Sequence, residues 1–335
     1  MKILYLADRR SQLAGRELFL DALRALGEVE IREQCRAWSD EQALAAMREA
    51  DVLLTLWGAR PIPPALAANP GRVRYILHLT GTCREYIPPE VIRSGIAVTN
   101  WGDAPARVVA EGALALLLAV VKDLRARSEA VRTGRSGASR PSGLVSGTVQ
   151  GLRLGLYGCG AIGRRFVELV APLGPELLVY DPFAEPVPKR CQRVAGVEEL
   201  FRRSEAVAIH AALTEATRGT VTAELLALLP DHGIVINTAR GEIVDQAALF
   251  AELKRGRLRA GLDVLAGNDD LPPEHEARQW PNLIWTSHDI AAVHWPPRPP
   301  RLSEAEEIAL DNLRRFVEGK PLRFRIDERR YALST

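Results

Sequence analysis

The sequence predicts an α/β protein built from doubly wound parallel sheets, and three observations predict it. Short apolar runs alternate with runs of helical apolar spacing from one end of the chain to the other. Gly158-Cys159-Gly160-Ala161-Ile162-Gly163 stands between one run of each kind, Leu152–Tyr157 before it and Arg164–Leu173 after it. The 335 residues suffice for two domains at the usual ~100–200 residues each.

Taken in order, the first third reads as strands over Lys2–Leu6, Val29–Arg32, Val52–Leu56, Arg74–Leu79 and Ile96–Thr99. Helical patterns over Gly15–Leu26 and Asp40–Glu49 lie between them, which completes a small doubly wound unit. Glu111–Ala130 reads as one long helix, dense in Ala and Leu on most faces. A Gly/Ser/Arg loop follows over Gly134–Gly147, and Arg125, Arg127, Arg132, Arg135 and Arg140 around it read as a solvated surface. A second set of strands falls at Leu152–Tyr157, Leu177–Tyr180, Ala206–His210, Ile234–Asn237, Ala260–Val264 and Leu283–Thr286. An amphipathic helix over Ser303–Glu318 closes the chain before Gly319-Lys320-Pro321. Trp295–Pro300 (WPPRPP) is a stiff irregular segment, a lid or a crossing between domains.

Composition excludes several classes. The 44 basic and 42 acidic residues leave a net charge of +2, so there is no electrostatic case for nucleic acid or a membrane surface. Cys35, Cys83, Cys159 and Cys191 lie far apart and form no CxxC pair, which argues against zinc and for a reducing compartment. The apolar part of MKILYLADRR is too short for a signal peptide, and Ala113–Val121 is too short to span a bilayer. The expectation is a cytoplasmic protein.

The Gly158–Gly163 run has the context that a lone glycine motif lacks. Gly158 permits a tight turn, Gly160 lets the backbone approach a pyrophosphate, and Gly163 lets the helix pack closely on the strand. The helix N-terminus around Ala161 and Ile162 then presents its N–H groups to the phosphates. Asp181 ends the next strand; a carboxylate there accepts from the adenosine ribose hydroxyls and repels a 2′-phosphate. With no adjacent Arg in Asp181-Pro182-Phe183, the reading is NAD rather than NADP.

Two more strand ends carry chemistry. Arg240 follows Ile234–Asn237 and precedes Gly241, which places a forked cation suited to a carboxylate at the ligand-binding end of a sheet. The bland alternative is a surface arginine that closes a helix N-terminus. His288 follows Leu283–Thr286 and is a candidate general acid and base. His78 and His210 end predicted buried strands and read as core or crevice groups. His232 and His275 lie in polar turns, and His294 sits in the proline-rich segment.

At these residues the chain resembles the D-isomer-specific 2-hydroxyacid dehydrogenases over nearly its whole length. The resemblance is carried by Gly158–Gly163 with Asp181, Leu226–Arg240 (LALLPDHGIVINTAR), Gly241–Asp245, Gly261–Val264 (GLDV) and Pro281–His288 (PNLIWTSH). Ala97–Asn100, Val109–Glu111 and the terminal Asn312-Leu313 with Gly319-Lys320-Pro321 add to it. It implies a flavodoxin-like substrate domain from residues 1–103 and 292–335. A Rossmann NAD-binding domain over 104–291 is inserted into it, with a cleft between the two. It also implies hydride transfer between NADH and a 2-keto acid to give a D-2-hydroxy acid. Arg240 would bind the substrate carboxylate and 2-oxygen, and His288 would exchange the proton. Thr80-Gly81-Thr82 would supply N–H groups to the carboxylate. Asp263 would hold the nicotinamide carboxamide, and Thr238 would lie along the cofactor. The Glu111–Ala130 helix would lie near the two-fold axis of a homodimer.

One departure bears on mechanism. The family pairs its His with a Glu a few residues after the Asp of the DV motif. Here, counting forward from Asp263 reaches Asn268, whereas counting back from Leu271-Pro272-Pro273-Glu274-His275 reaches Asp269. A carboxylate keeps a neighbouring imidazole charged to higher pH, and an amide does not. Asp269 is the preferred assignment, with Asn268 the alternative. Ser287 stands where the family usually has Pro, and Cys83 and Glu85 alter the substrate loop. Two other readings stay open at this point: an NAD-responsive regulator or corepressor-like protein on the same fold with weak or no catalysis, and a hydride acceptor from formate. The substrate side chain is not legible; Trp57, Tyr86 and Trp295 hint at a roomy, partly aromatic pocket, although such residues more often serve ordinary packing.

Overall fold

The computed structural model describes residues 1–7, 15–135, 144–292 and 301–333. Arg140, His294, Trp295 and the 296–300 segment lie outside the described residues. The chain divides into two units, Met1–Pro105 with His294–Thr335, and Ala106–Val293.

In chain order the first unit begins with β1 (Lys2–Leu6), α1 (Glu17–Arg24), β2 (Glu28–Arg32), α2 (Asp40–Arg48), β3 (Val52–Thr55), β4 (Tyr75–His78), α3 (Pro89–Arg93) and β5 (Ala97–Thr99). Its sheet is parallel throughout, in the order β2-β1-β3-β4-β5. That is the flavodoxin-like winding, with its topological switch between β1 and β3. The interior strands β1, β3 and β4 read as nearly unbroken apolar runs because both faces are covered. Leu4, Leu6, Leu53 and Ile76 enter one core, and Ile3, Tyr5, Leu54, Tyr75 and Leu77 enter the other.

The second unit contains α4 (Ala106–Val121), α5 (Leu124–Arg132), β6 (Arg153–Tyr157), α6 (Ala161–Val170), β7 (Glu176–Tyr180), β8 (Cys191–Arg193), α7 (Val197–Arg203) and β9 (Ala206–Ile209). It continues with α8 (Ala223–Ala227), β10 (Ile234–Asn237), α9 (Gln246–Lys254), β11 (Arg259–Leu262) and β12 (Leu283–Trp285). Its seven parallel strands run β8-β7-β6-β9-β10-β11-β12, the Rossmann order extended by one strand. Side chains alternate between faces here too. Ala206, Ala208, Ile234 and Ile236 pack against α4 and α6, whereas Val207, Ile209, Val235 and Leu262 face the opposite core.

The chain then returns to the first unit through α10 (Glu304–Val317) and α11 (Glu328–Leu333). Ser303 starts α10 with a reciprocal cap: its hydroxyl accepts from the Glu306 amide, and the Glu306 carboxylate accepts from the Ser303 amide. Leu310 and Leu313 on its buried face join the core formed by Ile3 and Tyr5.

Two expectations change. The long helix over Glu111–Ala130 is two helices, α4 and α5, broken at Lys122-Asp123. The Val120 carbonyl accepts from the Arg259 guanidinium and the Val121 carbonyl from the Gly147 amide, so neither serves a continuing helix. Asp123 takes a left-handed φ of 53°, and its carboxylate accepts from the Val145 amide at 3.1 Å. The strand β8 was not foreseen, because a three-residue polar edge strand (Cys-Gln-Arg) carries no apolar period. Among the described residues no helix is long and apolar enough to cross a membrane.

Candidate active site

Gly158, Gly160 and Gly163 sit at the switch point of the second sheet, between the end of β6 and the start of α6. Gly158 has a φ of +97°, and a Cβ there would collide with the backbone amide of Ala211. A Cβ on Gly163 would fall 2.6 Å from the Gly158 carbonyl oxygen, so this contact demands a bare backbone. Around Gly160, by contrast, the Cβ position has open space within 4 Å. No side chain caps the N-terminus of α6, whose first turn holds the exposed Ala161 and half-buried Ile162.

Asp181 directly follows β7 and bridges the two strand ends. Its Oδ2 accepts from the Cys159 amide at 2.7 Å, and Oδ1 accepts from the Phe183 and Ala184 amides at 2.8 and 3.0 Å. Although no arginine adjoins it in sequence, Arg193 on β8 donates to the Asp181 carbonyl at 3.1 Å. The same guanidinium also holds the Ala184 carbonyl and the Glu185 carboxylate.

These features fit a dinucleotide. The glycine turn leaves room for a pyrophosphate, the uncapped helix offers N–H donors, and an acid closes the second strand. The Thr238 hydroxyl, at the end of β10, is buried without a hydrogen-bond partner among the described residues.

Arg240 lies three residues past β10, half-buried, with Nη1 donating to the Ala239 carbonyl at 2.6 Å. Burial lowers its pKa from the ordinary guanidinium value, and the carboxylates of Asp269 and Glu242 oppose that shift. The next residue explains how Asp269 comes near. A Cβ on Gly241 would collide with the Leu265 carbonyl carbon and the Ala266 amide, so only glycine lets the 265–269 loop lie against the Arg240 turn. The Ala266 amide donates to the Gln246 side chain at 2.8 Å, which fixes the loop there.

His288 Nδ1 stands 2.7 Å from Asp269 Oδ2. The other oxygen of Asp269 accepts from the Leu265 amide at 2.7 Å, and Asp269 itself has a φ of 56°. Asn268 is exposed and does not occupy this place. The turn that carries His288 is held mainly by the buried Asp263. Its Oδ1 accepts from the Thr286 hydroxyl at 2.6 Å and from the Asp289 and Ile290 amides at 3.0 and 3.1 Å. Its carbonyl accepts from the His288 amide at 2.5 Å. On the other side, Ile290 packs on Gly112 of α4, where any Cβ would come within 2.8 Å of it.

Thus Arg240, Asp263, Asp269 and His288 converge at the strand ends of one unit. Thr80, Gly81 and Thr82 belong to the other, just past β4. There the Asn100 amide group donates to the Gly81 carbonyl at 2.9 Å. A buried chain runs from Thr55 Oγ1 to His78 Nδ1 at 2.8 Å and from His78 Nε2 to Thr80 Oγ1 at 2.6 Å. Burial pushes the His78 pKa down to about 4. The Thr55–His78–Thr80 chain and the three bonds to Asp263 were missed from the sequence, since neither follows a local spacing rule.

The comparisons agree with this geometry. The profile described as "D-isomer specific 2-hydroxyacid dehydrogenase, NAD binding domain" matches residues 114–289. The glyoxylate reductase of Aeropyrum pernix is 30% identical over 318 residues, covering 91% of this chain and 92% of that protein. The D-3-phosphoglycerate dehydrogenase of Methanocaldococcus jannaschii is 28% identical over 86% of this chain, which spans only 55% of that protein's length. Among solved structures, the apo D-mandelate dehydrogenase of Rhodotorula graminis superposes with a TM-score of 0.79 at 24% identity, over 98% of each chain, and so shares the fold. The chain belongs to the D-isomer specific 2-hydroxyacid dehydrogenases, NAD-dependent oxidoreductases that move hydride between a 2-hydroxy acid and its 2-keto acid.

Proposed function

We propose that Arg240, His288 and Asp269 carry out the reduction of a 2-keto acid to the D-2-hydroxy acid in this chain. The observation that carries the reading is the 2.7 Å contact of His288 with Asp269, on a loop that also brings a carboxylate to Arg240. NADH, when bound, would supply the hydride that reduces C2 of the substrate. As the C2–O double bond becomes single, negative charge grows on the oxygen. A fixed guanidinium stabilises that charge, and a protonated imidazole quenches it by donating its proton. Asp269 takes Nδ1, which orients the ring and leaves Nε2 to carry the transferable proton. Oxidation runs the same steps backward, with neutral His288 taking the proton.

The cofactor residues in this reading are Gly158, Gly160, Ala161, Ile162 and Gly163 for the pyrophosphate, and Asp181 for the ribose. Thr238 would lie along the cofactor and Asp263 would hold the carboxamide. Asp263 would have to use Oδ2, because Oδ1 already accepts three donors. Thr80, Gly81 and Thr82 supply substrate-carboxylate donors, and residues 1–103 with 292–335 form the substrate domain.

The assembly proposed is a homodimer that uses α4 and α5. In support, Leu124 and Val131 stand two turns apart on one face of α5, 56% and 65% exposed.

Arg240→Ala tests the central assignment. Loss of a buried charge-assisted bond to substrate should cut kcat/KM by at least about 10²-fold, while NADH binding followed by fluorescence stays within about twofold. Loss of NADH binding instead would give Arg240 a structural role and sink the assignment.

A further inference from the structure

We propose that Ser287 is a positioning residue whose hydroxyl holds the main chain of Asp269, so that this short carboxylate stays in reach of His288. The inference rests on the reading of Asp269 and His288 given above. Ser287 Oγ donates to the Asp269 carbonyl at 2.9 Å. This bond and the His288–Asp269 contact both tie the 286–290 turn to Asp269.

Backbone conformation makes the bridge necessary. Asp269, Ser287 and His288 have φ values of 56°, 51° and 60°, a left-handed region that non-glycine residues rarely adopt. These three residues meet through the two bonds, and strain of that kind persists only where neighbours hold it. The 286–290 turn has its own anchors in Asp263 and in the packing of Ile290 on Gly112. On its own loop the Asp269 carboxylate accepts from the Leu265 amide. Ser287 joins the anchored turn to the main chain that carries this carboxylate.

A φ of 51° also bars proline, whose ring fixes φ near −65°. In this chain serine combines the left-handed conformation with a hydroxyl donor. The Asp269 carboxylate faces the imidazole, and the Arg240 guanidinium acts on Asp269.

The experiment compares wild type, Ser287→Gly and Ser287→Pro in NADH-dependent reduction of a 2-keto acid panel, with NADH affinity measured by fluorescence. Glycine takes the left-handed φ without strain and lacks only the hydroxyl, so it isolates the bridge. Ser287→Gly should lower kcat about tenfold, with KM for the keto acid and NADH affinity within about twofold. Asp269→Glu, placed in the Ser287→Gly background, should recover part of that loss through its longer reach. Ser287→Pro should lose more than Ser287→Gly. Wild-type kcat in Ser287→Gly would overturn the proposal, as would an effect confined to keto-acid KM, which would make Ser287 a substrate ligand. A wild-type enzyme that binds NADH but turns over no 2-keto acid would instead sink the catalytic reading, and this proposal with it.

Discussion

Asp269 and His288 meet at 2.7 Å although both main chains are left-handed and the two residues lie 19 positions apart. The contact is assembled by neighbours. Gly241 admits the 265–269 loop, and Asp263 ties down the turn that carries the imidazole. The carboxylate is thereby presented to both the histidine and Arg240.

Asp269→Asn preserves shape and removes charge. A hydrogen bond to a charged group contributes about 1.5–3 kcal/mol, so kcat for keto-acid reduction near neutral pH should fall about 10–100-fold. Steady-state kinetics on both proteins check this. Equal kcat would remove Asp269 from the reaction.

Asp181 should set the choice between NAD and NADP. Asp181→Ser removes the carboxylate that repels a 2′-phosphate and leaves Arg193 nearby. The ratio of kcat/KM for NADPH to that for NADH should rise by at least about tenfold. The same substitution should lower the unfolding midpoint, since three backbone amides lose their acceptor. An unchanged cofactor ratio would mean that the carboxylate serves only the loop.

Two buried histidines should make stability fall in mild acid. Burial lowers the pKa of His78 and of His210 to about 4, below the ~6.5 of an unfolded chain. Between those values the unfolded state binds protons that the folded state refuses, so stability is complete above ~6.5 and declines as pH falls toward 4. Each group contributes on the order of 3 kcal/mol across that window. His210→Gln should flatten the dependence of the urea midpoint on pH between about 4 and 6.5. An unaltered slope would mean that His210 accepts a proton in the folded state.

The dimer proposal predicts that Leu124→Glu with Val131→Glu dissociates the assembly, because two charges would be buried against an apolar face. Light scattering should give one chain mass for the variant and twice that for wild type. A wild-type monomer would overturn the proposal.

Much of the fold was legible in the sequence, for identifiable reasons. Each interior strand is covered on both faces and so reads as an apolar run, which is why β1, β6 and β10 could be located to within a residue. The break at Lys122-Asp123 was not legible, because it depends on Arg259 and Gly147 reaching back to carbonyls of α4. Arg240 and His288 announced themselves by residue type at strand ends. Sequence counting left Asn268 and Asp269 as rival partners. The loop backbone decides between them, through a left-handed Asp269 and the close approach at Gly241. Ser287 was visible only as a departure from the family pattern. Its part depends on a φ value and a hydrogen bond that no local spacing encodes.

The most direct test is NADH consumption by the wild-type enzyme with a panel of 2-keto acids, followed from about pH 5 to 9. The account predicts turnover with at least one acid, with D-configured product. NADH bound tightly but not oxidised by any acid at any pH in that range would contradict it.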